Sequence, residues 1–296
     1  MRIGFIGLGI MGKPMAKNLL EAGHHLVVSS HNAAAAAELV ALGADSGRTP
    51  SEIAAQVDLV ITMLPNSPQV HDVVLGPDGV VDGAHGGLIY VDMSSIAPLV
   101  SREVAEALAA KDVVVLDAPV SGGEPKAIDG TLSIMVGGDR STFDKIEPVL
   151  ATMGASVVHV GEIGAGNIAK LANQVVVALN IAAVAEALVL AEKAGVSPAT
   201  VFEAIRGGLA GSVVLEAKVP MMLDHNFRPG FRINLHIKDL VNALDTSHEV
   251  AAHLPLTAAV LEMMTALKAA GHESDDHSGI VQHYERLAET ELGRAR

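Results

Sequence analysis

The sequence contains no cysteine and no tryptophan, and it has only two tyrosines and five phenylalanines among 296 residues. Without cysteine, the protein has no disulfide, no thiolate nucleophile and no cysteine-ligated zinc. Half of the residues are nevertheless hydrophobic. The core must therefore be built from aliphatic side chains and methionine.

Positive charge is also scarce. Twenty Lys and Arg stand against 34 Asp and Glu, which gives a formal net charge of −14. Because phosphate contacts need a basic surface, this balance argues against a nucleic-acid partner, and it disfavours binding to anionic membranes. An anionic substrate would need positive charge placed locally in its site.

An uninterrupted hydrophobic segment of membrane-spanning length is missing as well. The most apolar stretch, 171–191, contains Asn173, Gln174, Asn180 and Glu186, whereas a span needs about 20 mostly apolar residues. A buried helix explains the stretch better. The N-terminal apolar run is short and lacks the small-residue cleavage site of a secretory signal. We therefore expect a cytoplasmic protein without a membrane partner.

Two signatures of other enzyme classes are absent. The thirteen histidines show no H-E-x-x-H or comparable ligand spacing, so we expect no metal site. No G-x-S-x-G turn occurs either, which argues against a serine hydrolase.

The first half of the chain alternates short apolar runs with helical stretches. Continuous apolar runs are typical of strands buried on both faces of a parallel sheet, and their alternation with helices predicts a doubly wound α/β fold. The expected strands are 3–6, 26–28, 59–64, 88–93, 113–116, 132–136 and 157–160, with helices such as 13–22, 33–42 and 100–110.

From residue 164 onward the pattern is helical. We expect a long helix at 165–194 and further helices at 198–206, 213–222, 235–252 and 255–270, punctuated by prolines. The long helix is apolar nearly all round, which predicts a central, buried position. The chain thus divides into an α/β domain of residues 1–163 and an all-α domain of residues 164–296.

A glycine-rich loop follows the first predicted strand. Residues Gly7-Leu8-Gly9-Ile10-Met11-Gly12 form G-x-G-x-x-G between a strand and a helix, the context that a dinucleotide-binding (Rossmann) loop requires. In such a loop the first glycine permits a tight turn, the second lets the backbone approach a pyrophosphate, and the third packs helix on strand. The helix N-terminus faces the phosphates. The alternative is a plain strand–turn–helix connection.

The carboxylate that would select NAD is absent. NAD-binding folds place an acidic residue at the end of the second strand to hold the ribose 2′-hydroxyl, but here Ser29 is followed by Ser30, His31 and Asn32. The absence removes a repulsion of the 2′-phosphate, although no Arg is present to attract it. Both NAD(H) and NADP(H) stay open, with a preference for NADP(H). The alternative for His31 is an ordinary surface position.

Two further segments carry chemistry. Ser121-Gly122-Gly123 follows a predicted strand, and its consecutive N–H groups and hydroxyl could hold a carboxylate. The alternative is an ordinary turn.

Lys170, Asn173 and Gln174 share one face of the long helix because they are three and four residues apart. Burying them is costly, which a functional site would justify. The alternative is an exposed first turn, and Lys238-Asp239 by itself is typical of a solvated surface pair.

Four motifs in order resemble the β-hydroxyacid dehydrogenase family, which includes 3-hydroxyisobutyrate dehydrogenase. They are residues 6–19, 117–123, 164–173 and 238–240, so the resemblance covers essentially the whole chain. It implies an NAD(P)-dependent oxidoreductase that acts on a small anionic hydroxyacid or semialdehyde and forms a homodimer or homotetramer. The stretches 63–68, 121–131, 204–212, 234–240 and 276–278 are most similar to members that reduce tartronate semialdehyde (2-hydroxy-3-oxopropanoate) to D-glycerate.

The resemblance also implies roles. Lys170 would be the general acid of the reduction. The substrate would be bound by Ser121, Gly122, Gly123, Asn173, Gln174, Lys238 and Asp239. The cofactor would be bound by Gly7, Leu8, Gly9, Ile10, Met11, Gly12, Ser30, His31, Asn32, Met63, Leu64, Pro65, Asn66, Ser95, Phe231 and Lys238.

Two alternatives remain open. A relative acting on 3-hydroxyisobutyrate, glyoxylate or succinic semialdehyde would share these motifs. A non-catalytic dinucleotide-binding module is the more remote possibility, and the presence of Lys170, Ser121 and Asn173 argues against it.

Overall fold

The computed structural model describes residues 1–293. They form two compact units, one of Met1–Lys170 and one that begins at Leu171. The strands of the first unit are β1 (Arg2–Ile6), β2 (His25–Ser29), β3 (Asp45–Gly47), β4 (Leu59–Thr62), β5 (Ile89–Asp92), β6 (Val114–Asp117), β7 (Val120–Ser121), β8 (Leu132–Gly138) and β9 (Gly154–Gly161). Its helices are α1 (Gly12–Glu21), α2 (Ala33–Ala41), α3 (Pro50–Ala54), α4 (Ser67–Leu75), α5 (Val80–Gly83), α6 (Pro98–Ala109), α7 (Gly123–Ile128) and α8 (Arg140–Leu150).

The strands of the first unit form one sheet. Six of them are parallel in the order β3-β2-β1-β4-β5-β6, which is the strand order of dinucleotide-binding doubly wound folds. Beyond β6 the sheet is mixed, because β8 runs antiparallel to β6 and β7 while β9 is parallel to β8. The sequence did not predict this change of direction, since a run of apolar residues does not encode strand direction.

The sheet has a hydrophobic core on each face. Ile3 and Phe5 of β1 belong to one cluster, and Ile6 belongs to the other. Successive side chains of a strand point to opposite faces, so β1 contributes to both cores. This two-sided burial explains why the central strands read as continuous apolar runs.

The second unit is helical. Helix α9 (Ala165–Lys193) begins in the first unit and continues into the second, followed by α10 (Pro198–Ile205), α11 (Val213–Leu223), α12 (Ile233–Glu249), α13 (Pro255–Ala269), a 3₁₀ helix at His277–Ile280 and α14 (Val281–Ala288). Within its described part, the second unit has no strand beyond an isolated bridge between Arg232 and Asp276. The predicted combination of an α/β and an all-α region is confirmed.

Helix α9 is less buried than its composition suggests. It is long and apolar enough to span a bilayer, yet half of its most apolar stretch is buried within the protein. The buried stripe includes Lys170 and Gln174. On other faces Val176 and Leu190 are 63% and 70% exposed. The expectation of a helix buried all round was therefore only half right.

Candidate active site

The glycine loop between β1 and α1 has the geometry that the sequence predicted. Gly7 has a φ of +105°, and a Cβ there would lie 2.2 Å from the carbonyl oxygen of Met63. A Cβ on Gly12 would lie 1.9 Å from the carbonyl oxygen of Gly7. A Cβ on Gly9, by contrast, would have no atom within 4 Å. Gly7 and Gly12 therefore serve close packing, whereas Gly9 leaves open space above the backbone.

The intervening residues of the loop differ in exposure. Leu8 is buried, Ile10 is 58% exposed, and Met11 caps α1 without a side-chain hydrogen bond. The main-chain N–H groups at the start of α1 are therefore not capped by the side chain of Met11. Such groups can bind phosphate oxygens.

The loop after β4 lies beside the glycine loop. Its residues Met63, Leu64, Pro65 and Asn66 follow a strand that pairs with β1, where the strand order reverses. Ligands of open α/β sheets bind at such a switch point. The loop after β5, which includes Ser95, is tied to it, because Leu64 donates its N–H to Oγ of Ser94 at 2.8 Å.

The end of β2 is occupied by small polar residues. His31 is exposed, and Ser30 is half-buried. Asn32 caps α2 by accepting from the N–H of Ala35 at 3.2 Å, and its Nδ2 donates to the carbonyl of Leu8 at 3.1 Å. Asn32 therefore ties α2 to the glycine loop with both ends of its amide.

A buried acid links the loops after β4 and β5. Oδ1 of Asp92 accepts from Oγ1 of Thr62 at 2.8 Å and from the N–H of Ser94 at 3.1 Å. Oδ2 of Asp92 is buried without a hydrogen-bond partner. Burial raises the pKa of Asp92 to about 6, and its hydrogen bonds only partly oppose that rise. The hydroxyl of Tyr90 lies 2.6 Å from Oγ1 of Thr62 and completes this buried group.

A second buried acid fixes the start of α9. The carboxylate of Asp117 accepts from the N–H groups of Gly164 and Asn167 at 2.7 and 2.6 Å. Oδ1 of Asn167 accepts from the N–H of Ile96 at 3.1 Å, and its Nδ2 donates to Oγ of Ser101 at 3.1 Å. Burial raises the pKa of Asp117, and the two main-chain N–H bonds oppose that rise. These contacts orient the helix that carries Lys170, which is 7% exposed.

The segment Ser121-Gly122-Gly123 forms a tight turn from β7 into α7. Gly122 and Gly123 have φ values of +140° and +71°, which side-chain-bearing residues rarely adopt. Ser121 ends β7 and is half-buried. The predicted turn is therefore present, with successive main-chain groups turned in unusual directions.

In the second unit the predicted residues form a hydrogen-bonded group. Nδ2 of Asn173 donates to Oε1 of Gln174 at 2.8 Å, and Nε2 of Gln174 donates to Oδ2 of Asp239 at 2.5 Å. Nζ of Lys238 lies 2.9 Å from Oδ1 of Asp239. Lys238 and Asp239 are 16% and 1% exposed, so they are not a solvated surface pair. Phe231 precedes α12, and its ring packs against buried histidines.

Several buried polar atoms near these residues lack hydrogen-bond partners among the described residues. In the described part of the first unit these are Oδ1 of Asn66 and Oδ2 of Asp92. On α12 they are Oδ1 of Asn234, Nδ2 of Asn242 and Oδ1 of Asp239, which has the Lys238 ion pair but no hydrogen bond of good geometry. Buried polar groups are normally satisfied, so these atoms are candidates for ligand contacts.

Comparison with known proteins places both units in one family. Residues 2–161 match the family model described as the NAD-binding domain of 6-phosphogluconate dehydrogenase. Residues 164–284 match the one described as NAD-binding of NADP-dependent 3-hydroxyisobutyrate dehydrogenase.

Among curated relatives, the 2-hydroxy-3-oxopropionate reductase of Escherichia coli is 44% identical, with 99% of this chain and 100% of that protein covered. The 3-hydroxyisobutyrate dehydrogenase of Pseudomonas aeruginosa is 38% identical, with 95% and 98% covered. Among solved structures, the 3-hydroxyisobutyrate dehydrogenase of Mycobacterium tuberculosis with L-serine has a TM-score of 0.88 at 36% identity, with 96% and 98% covered.

The chain belongs to the 3-hydroxyisobutyrate dehydrogenase family. It is thus an NAD(P)-dependent oxidoreductase of the β-hydroxyacid dehydrogenases.

Sequence reasoning missed the residues that support the motifs. Asn167, Asn234 and His236 lay inside recognised stretches but had no assigned role. Asp92 and Asn242 carried no local pattern that separated them from ordinary core or surface positions. Asp117 stood inside a recognised motif, yet its capping of α9 depends on a contact 47 residues away in sequence. A search for acids at the ends of buried strands could have found Asp92 and Asp117, which end β5 and β6.

The first prediction concerns Gly9. Gly9→Ala has room in the unliganded protein, so its unfolding free energy should change by less than about 0.5 kcal/mol. The added methyl group would meet a pyrophosphate, so the Kd for NADH or NADPH should rise by about 10-fold or more. Calorimetric titration and chemical denaturation measure the two quantities.

Two variants serve as controls for this prediction. Gly207→Ala also has no atom within 4 Å and should leave both quantities unchanged. Gly12→Ala should lower the unfolding free energy by about 1–3 kcal/mol because of its clash. Unchanged cofactor affinity in Gly9→Ala would contradict the proposed placement of the pyrophosphate.

The second prediction concerns pH. Because the pKa of Asp92 is raised to about 6, its contribution to stability is present at low pH and lost as pH rises through 6. The whole loss of unfolding free energy is about 3 kcal/mol, of which about 1–1.5 kcal/mol occurs between pH 5 and pH 8. Between pH 5 and pH 8, the unfolding free energy of Asp92→Asn should therefore rise by that amount relative to the wild type. Denaturation curves at each pH measure it. The exposed Asp45→Asn is the control, and an equal pH dependence of all three proteins would refute the assignment.

Proposed function

We propose that this protein reduces tartronate semialdehyde (2-hydroxy-3-oxopropanoate) to D-glycerate, with NADH or NADPH as the hydride donor. The observation that carries the choice of substrate is the polar stripe on α12. The 44% identity to the Escherichia coli reductase over nearly the whole of both chains supports the same choice.

The polar stripe consists of Asn234, Lys238 and Asn242. These residues lie four apart and therefore share one helix face, and the amides carry buried atoms without hydrogen-bond partners in the described structure. Tartronate semialdehyde has a hydroxyl group at C2, whereas the semialdehyde formed from 3-hydroxyisobutyrate has a methyl group there. A site with unmet hydrogen-bonding atoms disfavours the methyl analogue. The relative solved with L-serine also held a three-carbon acid with a polar group at C2.

The residues present fit a dinucleotide. Gly9 leaves space above the backbone, and a side-chain-bearing residue would fill it. Oδ1 of Asn66 is buried without a partner at the end of β4, where we place the nicotinamide end with Leu64, Pro65 and Ser95. No carboxylate follows β2, so Ser30 and His31 accept either a ribose hydroxyl or a 2′-phosphate. Phe231 and Lys238 are proposed as further cofactor contacts.

The proposed mechanism assigns one proton transfer to the chain. A bound reduced nicotinamide would supply the hydride that the aldehyde carbon needs. Lys170 donates a proton to the carbonyl oxygen as negative charge builds there, and such general-acid catalysis contributes about 10²–10⁴-fold. Ser121, Gly122 and Gly123 bind the carboxylate with a hydroxyl and main-chain N–H groups.

Asn173 and Gln174 orient the substrate, and Asp239 holds the amide of Gln174 in place. Lys238 supplies the local positive charge that an anionic substrate needs in a protein with a net charge of −14.

The third prediction is the direct test of this function. Steady-state reduction of tartronate semialdehyde, with NADH and NADPH in turn, should exceed reduction of the methyl-bearing semialdehyde by about 100-fold or more in kcat/KM. Lys170→Ala should lower kcat by about 10²–10⁴-fold while cofactor Kd stays unchanged.

Lys193→Ala, at the far end of the same helix, is the matched control and should keep wild-type turnover. A preference for the methyl-bearing compound, glyoxylate or succinic semialdehyde would assign the protein to another substrate of the family. Normal turnover by Lys170→Ala would refute the mechanism. Cofactor binding without turnover of any semialdehyde would favour the non-catalytic module.

We also propose a cytoplasmic homodimer or homotetramer. Val176 and Leu190 of α9 are largely exposed, and Leu209 is fully exposed. A mostly apolar cavity of about 310 Å³ lies between α9, α10 and α11. Exposed apolar surface of this kind marks an interaction site. The fourth prediction is that sedimentation equilibrium gives a dimer or tetramer, and that Leu190→Glu shifts it toward monomer. A monomeric wild-type protein would refute the proposal.

A further inference from the structure

The motif Asp276-His277-Ser278 takes no part in the function proposed above. The structure places Asp276 in the interior of the second unit, where it is fully buried. Its carboxylate accepts from Nζ of Lys218 at 2.9 and 3.0 Å, and from the N–H groups of Gly230, Phe231 and Ser278 at 2.9–3.0 Å. Although burial raises it, the neighbouring His277 and Lys218 lower the pKa of Asp276 to about 2. Asp276 therefore anchors the backbone directly after His277 and just before α12.

His277 contacts a second buried histidine. Its Nδ1 lies 2.9 Å from Nδ1 of His236 on α12, and the two residues are 5% and 0% exposed. The ring of Phe231 packs edge-on against both imidazoles, with centroids 5.4 and 5.6 Å away. The rings therefore have little room to turn.

The partner of His236 is the main chain of α9. Nε2 of His236 lies 3.2 Å from the carbonyl oxygen of Gln174. A carbonyl can only accept, so Nε2 of His236 carries a proton and donates. Burial disfavours a charged imidazole, so we take His236 as neutral. Its Nδ1 then accepts, and the proton between the rings belongs to Nδ1 of His277. The direction of both hydrogen bonds is thereby fixed, from His277 to His236 to Gln174.

This chain of hydrogen bonds ends on a peptide carbonyl. A peptide carbonyl takes up no proton near neutral pH, so the chain holds its members in place and transfers no proton. The same residue, Gln174, is held at its side chain by Asn173 and Asp239 at 2.8 and 2.5 Å. The turn of α9 that carries Asn173 and Gln174 is thus fixed from the backbone and from the side chain, one turn after Lys170.

We propose that His277 and His236 are positioning residues that set this turn of α9 for the reaction without touching the substrate. The inference rests on the proposed function, in which Lys170 and Asn173 act on the substrate. Misplacement of such groups by about 1 Å can cost about 100-fold in rate. The loss should therefore fall on kcat rather than on substrate or cofactor affinity.

The fifth prediction uses amides as matched replacements for each ring nitrogen. The amide nitrogen of Asn takes the place of Nδ1 of histidine, and that of Gln takes the place of Nε2. Because His277 donates through Nδ1, His277→Asn should keep kcat within about 3-fold, whereas His277→Gln should lose about 10-fold or more. Because His236 donates through Nε2, the order should be reversed there, with His236→Gln active and His236→Asn impaired. KM and cofactor Kd should change by less than about 3-fold throughout.

A merely structural pair would not give this crossed pattern. His272→Leu is the control, since His272 pairs with Asp275 at 2.9 Å on the same segment but lies outside the chain of hydrogen bonds, and it should keep wild-type kcat. Equal effects of Asn and Gln at each position, or kcat within 3-fold for all four variants, would overturn the inference.

A second readout separates this inference from the proposed function. Long-range ¹H–¹⁵N spectra of histidine-labelled protein, assigned with the same variants, report the tautomers without any substrate. We expect the proton on Nε2 of His236 and on Nδ1 of His277. A proton on Nδ1 of His236 would overturn the inference even in an active enzyme. The expected tautomers in a protein that reduces no semialdehyde would instead refute the function alone.

Discussion

The bonds from the N–H groups of Gly164 and Asn167 to the carboxylate of Asp117 fix where α9 begins. A negative charge is favourable at a helix N-terminus, and the same bonds offset part of the cost of burying an acid. Successive residues of a helix are rotated by about 100°. A start displaced by one residue would therefore carry Lys170 to another face. A Cβ on Gly166 would lie 2.5 Å from the carbonyl oxygens of Asp117 and Met135, so close packing enforces the same register.

Once Gln174 lies on the buried stripe of α9, the second unit must satisfy its polar atoms. Gln174 bonds to Asp239 through its side chain and to His236 through its carbonyl. Each of these partners is itself buried and needs a further partner, which His277 supplies for His236. The series of polar groups continues to Asp276 and ends at Lys218, whose side chain is 15% exposed. A polar group placed in a core thus determines a whole path of neighbours, because each unpaired member would cost about 1–3 kcal/mol.

The sequence was most informative where structure is local. The G-x-G-x-x-G loop lies between β1 and α1 as predicted, because glycine spacing, strand and helix are all encoded within about twenty residues. Long runs also gave α9 to within one residue, since its expected end was 194 and its observed end is Lys193. The three-residue strand β3 and the helix α8 escaped prediction. Strand β3 has no apolar run, and α8 contains four charged residues and Pro148 in eleven positions.

Sequence patterns did not predict the contacts between segments that lie far apart in the chain. Asn32 remains a predicted cofactor contact, but the bridge that its amide forms between α2 and the carbonyl of Leu8 depends on how two loops meet. His236 and His277 are 41 residues apart and looked like two of thirteen scattered histidines. Their pairing follows from the packing of the 3₁₀ helix on α12, and no spacing rule describes it.

The fold depends on many residues, whereas the substrate preference depends on few. Overall sequence identity therefore reports mainly on the fold. Pyrophosphate recognition uses main-chain geometry, which any sequence with the same glycines and strand order reproduces. Relatives with different substrates, at 44% and 38% identity, therefore cover this chain almost equally. In the function proposed here, the choice between a hydroxyl and a methyl group at C2 depends on a few side chains such as Asn234 and Asn242, too few to change the identity over 292 residues appreciably. A single unpaired buried amide nevertheless changes binding by more than 1 kcal/mol, so the chemistry of α12 is the better guide to the substrate.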